Sequence, residues 1–201
     1  EARPEVVKEW KADAARAYDT WAQETTKRAA MLRKLWIADK FAEYDQFYFV
    51  WVADWRGRLY PMSPFVNPQA DDTGKALLEF ANGKRLGKTG VKWLAIYGAS
   101  EYGYDKAPVT DRVLWVKTHE AQIMECAENP LDNHWWMDAD NPFKFLAFCR
   151  EWAGVCRLGE DFVSHLPVGL DGSCNGPQHL STMMLDEVGC RATNIESGET
   201  P

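Results

Sequence analysis

No two of the five cysteines form a CxxC pair, and their number is odd. A disulfide framework or a zinc ribbon needs paired thiols at short spacing, so the pattern points to reduced thiols in a cytosolic setting. Histidine is scarce, with four residues, and none is spaced to hold a metal with the cysteines. Cys174 and His179 are near in sequence, but two ligands do not make a site. The stretch "HEAQIM" at 119–124 lacks the second histidine of a zinc-protease helix, because that position is Ile123. "GKRLGKTG" lacks a phosphate loop's spacing: only three residues separate Gly83 from Gly87, and "KALLEFA" before it reads as helix. A basic surface turn is expected there. No apolar run is long enough for a transmembrane helix, and Glu1-Ala2-Arg3-Pro4 does not read as a signal peptide. The sequence does not begin with methionine, so residue 1 is expected not to be the natural start.

Aromatic residues, in contrast, are plentiful: ten are tryptophan. They imply a large core, stacking surfaces or both. The formal net charge of -7 argues against a free-standing nucleic-acid binder. That average hides an asymmetry, since residues 1–40 carry a basic excess. Lys27, Arg28, Arg33 and Lys34 fall together with no acid between them.

Periodicity and punctuation predict a helix-rich α+β chain. Residues 5–43, rich in Ala, Lys, Arg and Glu, read as one long helix or two. Trp10, Ala14, Ala17, Trp21, Ala29, Leu32, Trp36 and Ile37 form the apolar face opposite a basic one. Residues 47–52 read as a strand, 54–58 as a turn, and Leu59-Tyr60 as the resumed strand. "NPQADDTG" reads as a loop. Helices are predicted over 75–81, 90–102, 110–127 and 142–156, the last with Phe145, Phe148, Trp152 and Val155 facing a core. Trp135-Trp136, in a loop, reads as an anchor rather than a base-stacking platform.

Two stretches carry chemistry. In "DWRGR" (54–58), Arg56 and Arg58 share a face of an extended chain, and paired guanidinia suit phosphate oxygens. Gly57 allows a turn or a close approach. The same pattern fits a hairpin turn with solvated charges and an Asp54–Arg bridge, and it supports both readings equally. In "VGLDGSCNGPQH" (168–179), a buried strand over 166–170 delivers Asp171 to its end. Gly172 turns the chain, and Asn175 or Gly176 caps a helix with Pro177 in its first turn. That helix is predicted to run to Val188, with Leu180, Met184 and Val188 as one stripe, and to stop at Gly189. A carboxylate beside free carbonyls suits a hard cation such as Mg2+. An Asp-Gly turn without function is the other reading.

"DWRGRLY", "NPQ", "NPFKFLAFCREWAG" and "LPVGLDGSCNGPQHLSTMMLDEVGCRATN", in that order, resemble the single-subunit DNA-dependent RNA polymerases of T-odd phages and mitochondria. The resemblance runs from about residue 25 to the end. It implies that Asp171 is the palm's first metal-binding aspartate, with the Gly172 carbonyl beside it. It also implies that Asp54, Gly57 and Arg58, with neighbouring Arg56, contact template and RNA–DNA hybrid. By the same resemblance, residues 1–43 are the end of a thumb and 44–201 the first half of a palm. Two Mg2+ ions would serve nucleotidyl transfer. The partners would be DNA template, RNA transcript, nucleoside triphosphates and the remainder of the polymerase, with no membrane. The basic run Lys27, Arg28, Arg33 and Lys34 would face phosphates. The cytoplasm of an infected bacterium is the expected location, the mitochondrial matrix the alternative. Pro177 stands where many relatives carry an aliphatic residue.

The family also needs a fingers helix and a second aspartate in a His-Asp-Ser element, and no His-Asp dipeptide occurs here. The expectation is therefore a piece of a polymerase, or one subunit of a split one, inactive alone. A non-catalytic nucleic-acid-binding module and a protein-interaction domain are the alternatives. Half a palm would leave sheet edges and apolar surface uncovered.

Overall fold

The computed structural model describes residues 3–169, 174–193 and 195–196. The chain divides into two compact units, Glu1–Pro167 and Val168–Pro201.

The first unit opens with α1 (Pro4–Phe41), a single unbroken helix of 38 residues. Pro4 sits in its first turn, where a missing N–H is harmless. The predicted apolar face of α1 does not become core. Trp10, Trp21, Leu32 and Trp36 are each more than 60% exposed, because the described residues pack only on the last third of the helix.

The hairpin of β1 (Trp51–Ala53) and β2 (Leu59–Pro61) is antiparallel, with Trp51 opposite Pro61 and Ala53 opposite Leu59. β1 is shorter than the predicted strand over 47–52. Helix α2 (Asp72–Ala76) begins three residues earlier and ends five earlier than the sequence suggests. Its start is set by Asp71, whose side chain accepts the Gly74 N–H. The chain beyond it turns into β3 (Lys84–Arg85). The basic turn expected there is thus a strand followed by a helix start, and Arg85 pairs with Asp161.

Helix α3 (Gly87–Tyr102) is buried all round from Leu94 to Ala99, as a central core helix must be. Gly103 ends it at φ +113°, a conformation glycine takes without strain. The helix predicted over 110–127 is two: α4 (Val109–Thr118) and α5 (Glu120–Glu128). The break is at His119, which stacks on Trp115 with ring centroids 4.4 Å apart and places Nδ1 2.8 Å from the Trp115 carbonyl. A 3-10 turn (Trp135–Asp138) follows. Trp136 is buried there, with Nε1 donating to the Pro130 carbonyl, and Trp135 lies 4.8 Å from Tyr102. The tryptophan pair is an anchor, as expected.

Helix α6 (Pro142–Leu158) carries Phe145, Phe148, Trp152 and Val155 into the core it shares with α3, α4 and α5. Its first N–H groups are capped from afar, since Asp72 accepts from Phe143 and Lys144 at 2.9 Å each. Lys144 in turn lies 2.7 Å from Glu101 of α3, both side chains largely buried. β4 (Val163–Ser164) pairs antiparallel with β3. The strand expected over 166–170 is not formed at its described residues 166–169. The neighbouring ladder stops at Ser164, and the Leu166 N–H donates to the Ser164 hydroxyl at 3.2 Å rather than to a strand.

In the second unit, Cys174 (φ 58°) leads into α7 (Asn175–Met184), and α8 (Glu187–Ala192) follows. The predicted single helix to Val188 breaks at Leu185, which is left-handed at φ 52°. Gly189 is not a helix end but lies inside α8, where a Cβ would collide with the Ser181 side chain. The stripe Leu180, Met184 and Val188 is exposed rather than buried. All five cysteines are free, Cys126 and Cys149 being buried.

Candidate nucleic-acid interface

The turn at 54–58 is built by one carboxylate. Asp54 Oδ1 accepts the backbone N–H of Arg56 at 2.8 Å and of Arg58 at 2.9 Å. The Asp54 N–H donates to the Arg58 carbonyl at 2.8 Å, and the Gly57 N–H to the Asp54 carbonyl at 3.0 Å. An aspartate closing onto backbone amides two and four residues on is the usual way such a turn is fixed. Gly57 sits at φ +75°, so a Cβ there would be strained. The expectation that Arg56 and Arg58 share a face of an extended chain fails for this reason, since they belong to a turn.

Both arginines are exposed. Arg56 Nε lies 3.4 Å from Asp54 Oδ2, and its guanidinium carbon lies 5.1 Å from the centre of the Trp55 ring. Trp55 is 89% exposed. The turn thus presents a cation–π pair and a second guanidinium to solvent, on a frame held by Asp54. Such a surface can hold phosphate oxygens and stack against a base or sugar. The Asp54–Arg56 bridge and the guanidinium display coexist, so neither reading of "DWRGR" displaces the other.

A second bracket escaped the sequence reading. Asn67 is buried, donates from Nδ2 to the Ser63 carbonyl at 2.7 Å and accepts the Gln69 N–H at 2.8 Å. Gln69 then donates from Nε2 to the Leu59 carbonyl at 2.9 Å, tying "NPQ" to β2. The Asn-Pro dipeptide signals a turn, but no local signal tells which strand the glutamine reaches.

The basic run on α1 does not form one face. Lys27 and Lys34 are seven residues, about two turns, apart and share a side, whereas Arg28 and Arg33 lie to either flank. Lys27 and Arg28 are exposed, and Arg33 places its guanidinium 5.0 Å from the Phe65 ring centre. Lys34 departs from expectation. It is 9% exposed and ion-paired with Asp71, so its ammonium is engaged within the chain. Partial burial raises the Asp71 carboxyl, but hydrogen bonds from Lys34 and the Gly74 amide outweigh it and hold it below the usual carboxylate range.

Asp171 and Gly172 lie outside the described residues. Among the described residues no group of three His, Cys, Asp or Glu side chains could hold a metal ion. No described helix is long and apolar enough to cross a membrane.

Comparison with known proteins gives these features a context. Residues 84–201 match the family described as DNA-dependent RNA polymerase. T7 RNA polymerase of Escherichia phage T7 is 44% identical over 98% of this chain and 22% of its own length. The DNA-directed RNA polymerase of Enterobacteria phage T3 is 43% identical over 96% of this chain and 22% of its own. DNA-directed RNA polymerase 1, mitochondrial, of Arabidopsis thaliana is 35% identical over 98% of this chain and 21% of its own. The chain thus spans about a fifth of the length of these relatives.

Proposed function

The chain belongs to the DNA-dependent RNA polymerase family, and we propose that it supplies part of a phage-type enzyme that copies a DNA template into RNA. Residues 1–43 form the end of the thumb and 44–201 the first half of the palm. The observation that carries this reading is the Asp54–Arg58 turn. One carboxylate fixes the backbone so that Arg56 and Arg58 stand in solvent beside Trp55, within a chain 44% identical to a polymerase along nearly its whole length.

In this reading Arg56 and Arg58 hold the backbone of template and hybrid, supplying affinity without sequence choice. Asp54 and Gly57 keep the turn that presents them. Lys27, Arg28 and Arg33 add positive charge along α1. Asp171 and the Gly172 carbonyl would hold a Mg2+ ion, which would supply Lewis-acid chemistry for nucleotidyl transfer. The other carboxylate of a two-ion site is assigned to the remainder of the polymerase, so this chain alone is inactive. The substrates are nucleoside triphosphates. A phage enzyme acts in the cytoplasm of the infected bacterium, a mitochondrial one in the matrix.

The test is primer extension on an RNA-primed DNA template with nucleotides and Mg2+. Extension is expected only when the chain is mixed with the C-terminal remainder of a family member, and is expected to vanish with Asp171→Asn. Asp54→Ala should lower the yield at limiting hybrid by loosening the turn. Extension by the chain alone would overturn the assigned incompleteness. Failure of both mixtures, with hybrid binding retained, would make the chain a non-catalytic nucleic-acid-binding module.

A further inference from the structure

Helix α1 touches the rest of its unit over a short stretch. From Pro4 to Ala29 only Ala14 is even half-buried. The packed stripe is Ala30, Met31, Lys34, Ile37 and Ala38, at the spacing of one helix face. About 39 Å of helix, at ~1.5 Å per residue, therefore projects from an anchor about 12 Å long. On such a lever a pivot of ~10° at the anchor moves the far end by ~7 Å. What fixes the anchor fixes where the basic residues of α1 stand.

The apolar contacts of the anchor are loose. A groove of about 740 Å³ lies between Ile37 and Phe41 on one side and Phe49, Met62, Val66 and Leu78 on the other. Dense packing is what ordinarily sets a helix direction, and it is incomplete here. At the centre of the stripe stands a charged side chain instead, Lys34, buried and paired with Asp71.

Asp71 is a rigid post. Its Oδ2 takes Lys34, while Oδ1 accepts the Gly74 N–H at 3.1 Å. A Cβ on Gly74 would meet the Phe65 carbonyl at 2.7 Å, so α2 is tightly seated. The next residue, Asp72, caps α6. Two adjacent carboxylates thus face opposite ways, one to the arm and one to the core.

We propose that the Lys34–Asp71 ion pair is the pin that sets the direction of α1. Lys34 and Asp71 are then positioning residues for the nucleic-acid grip assigned to α1, a role that rests on the proposed function. Lys34 does not itself contact phosphate. Lys34 is buried while the Asp71 carboxylate faces solvent, so the pair acts by fixing where the buried lysine stem ends on the Asp71 post, and its net stabilisation is small.

Two variants separate charge from structure. Lys34→Met keeps the buried stem. Asp71→Asn keeps an oxygen that caps α2, since asparagine caps as well as aspartate. Spin labels at Glu9 on α1 and Lys88 on α3, with the exposed cysteines replaced, report the arm's direction. Both variants and the double variant should broaden the distance distribution by the same amount, and Lys34→Arg should restore it. Binding of a short RNA–DNA hybrid should weaken several-fold in both single variants. The slope of log affinity against log salt should stay unchanged. If Lys34 were a phosphate contact, Lys34→Met alone would reduce that slope by about 0.9, and the proposal would fall. Unchanged distances in both variants would also overturn it. Broadened distances in a chain that binds no hybrid would uphold the pin and refute the nucleic-acid reading.

Discussion

Replacing Gly98 by alanine should destabilise the chain, although alanine favours a helix over glycine by about 1 kcal/mol. Gly98 lies where α3 crosses α6, and an added Cβ would press on three ring carbons of Phe148 closer than real contacts allow. The ring cannot swing away. Phe148 is fully buried, with Phe145 at 5.7 Å and Trp152 at 5.8 Å on either side. Overpacking of this kind costs about 1–3 kcal/mol, and contact at three atoms places it at the upper end. The expected net loss is about 2 kcal/mol after the helix gain, or roughly 4–8 °C in melting temperature for a domain of this size. Urea titration and thermal melting, followed by circular dichroism, measure both. The double variant Gly98→Ala/Phe148→Leu should lose less than the sum of its parts, because the smaller side chain vacates the space the methyl needs. A Gly98→Ala chain that melts at or above the parent temperature would refute the reasoning, as would strict additivity in the double variant.

Two further outcomes follow from the same packing. Asp72→Ala should cost about 1–2 kcal/mol in urea unfolding, because Asn141 at the start of α6 makes no side-chain cap and Asp72 supplies it; Asp72→Asn should recover most of the loss, and equal stability of Asp72→Ala and parent would count against the cap. Burial pushes the Glu151 carboxyl above its ordinary value of 4.5, with Glu79 adding to the rise and Ser164 and His165 opposing it. The unfolded chain then gives up this proton at lower pH than the folded one, so the group's contribution is lost as pH climbs from 4.5 through the raised value. Glu151→Gln should therefore raise the melting temperature relative to parent at pH 7, with the difference shrinking toward pH 4, and an advantage independent of pH would contradict this account.

Much of the fold is legible locally. The Ala-, Lys- and Glu-rich start becomes α1, Gly103 ends α3, and Pro142 opens α6 with its aromatic face inward. The turn at 54–58 is legible because aspartate and glycine each do there what their chemistry favours. The misreadings share a cause. His119 breaks a periodic stretch because the aromatic cluster of Trp115 and Trp135 takes its ring. Leu185 adopts a left-handed conformation that no leucine signals, and α8 then folds back so that Gly189 meets Ser181. Both are choices of tertiary packing over local propensity.

Local sequence determined the long helix, the guanidinium turn and, through four ordered motifs, the polymerase family. Tertiary structure alone decided what the charged residues do. Lys34 reads as one more cation of a solvated basic run until Asp71, from a loop 37 residues on, meets it in the anchor of α1. Asp72 reads as loop until α6 brings its first amides onto it from 71 residues away. Periodicity and caps are written in neighbouring residues, whereas pairs between distant segments exist only once the chain between them has closed.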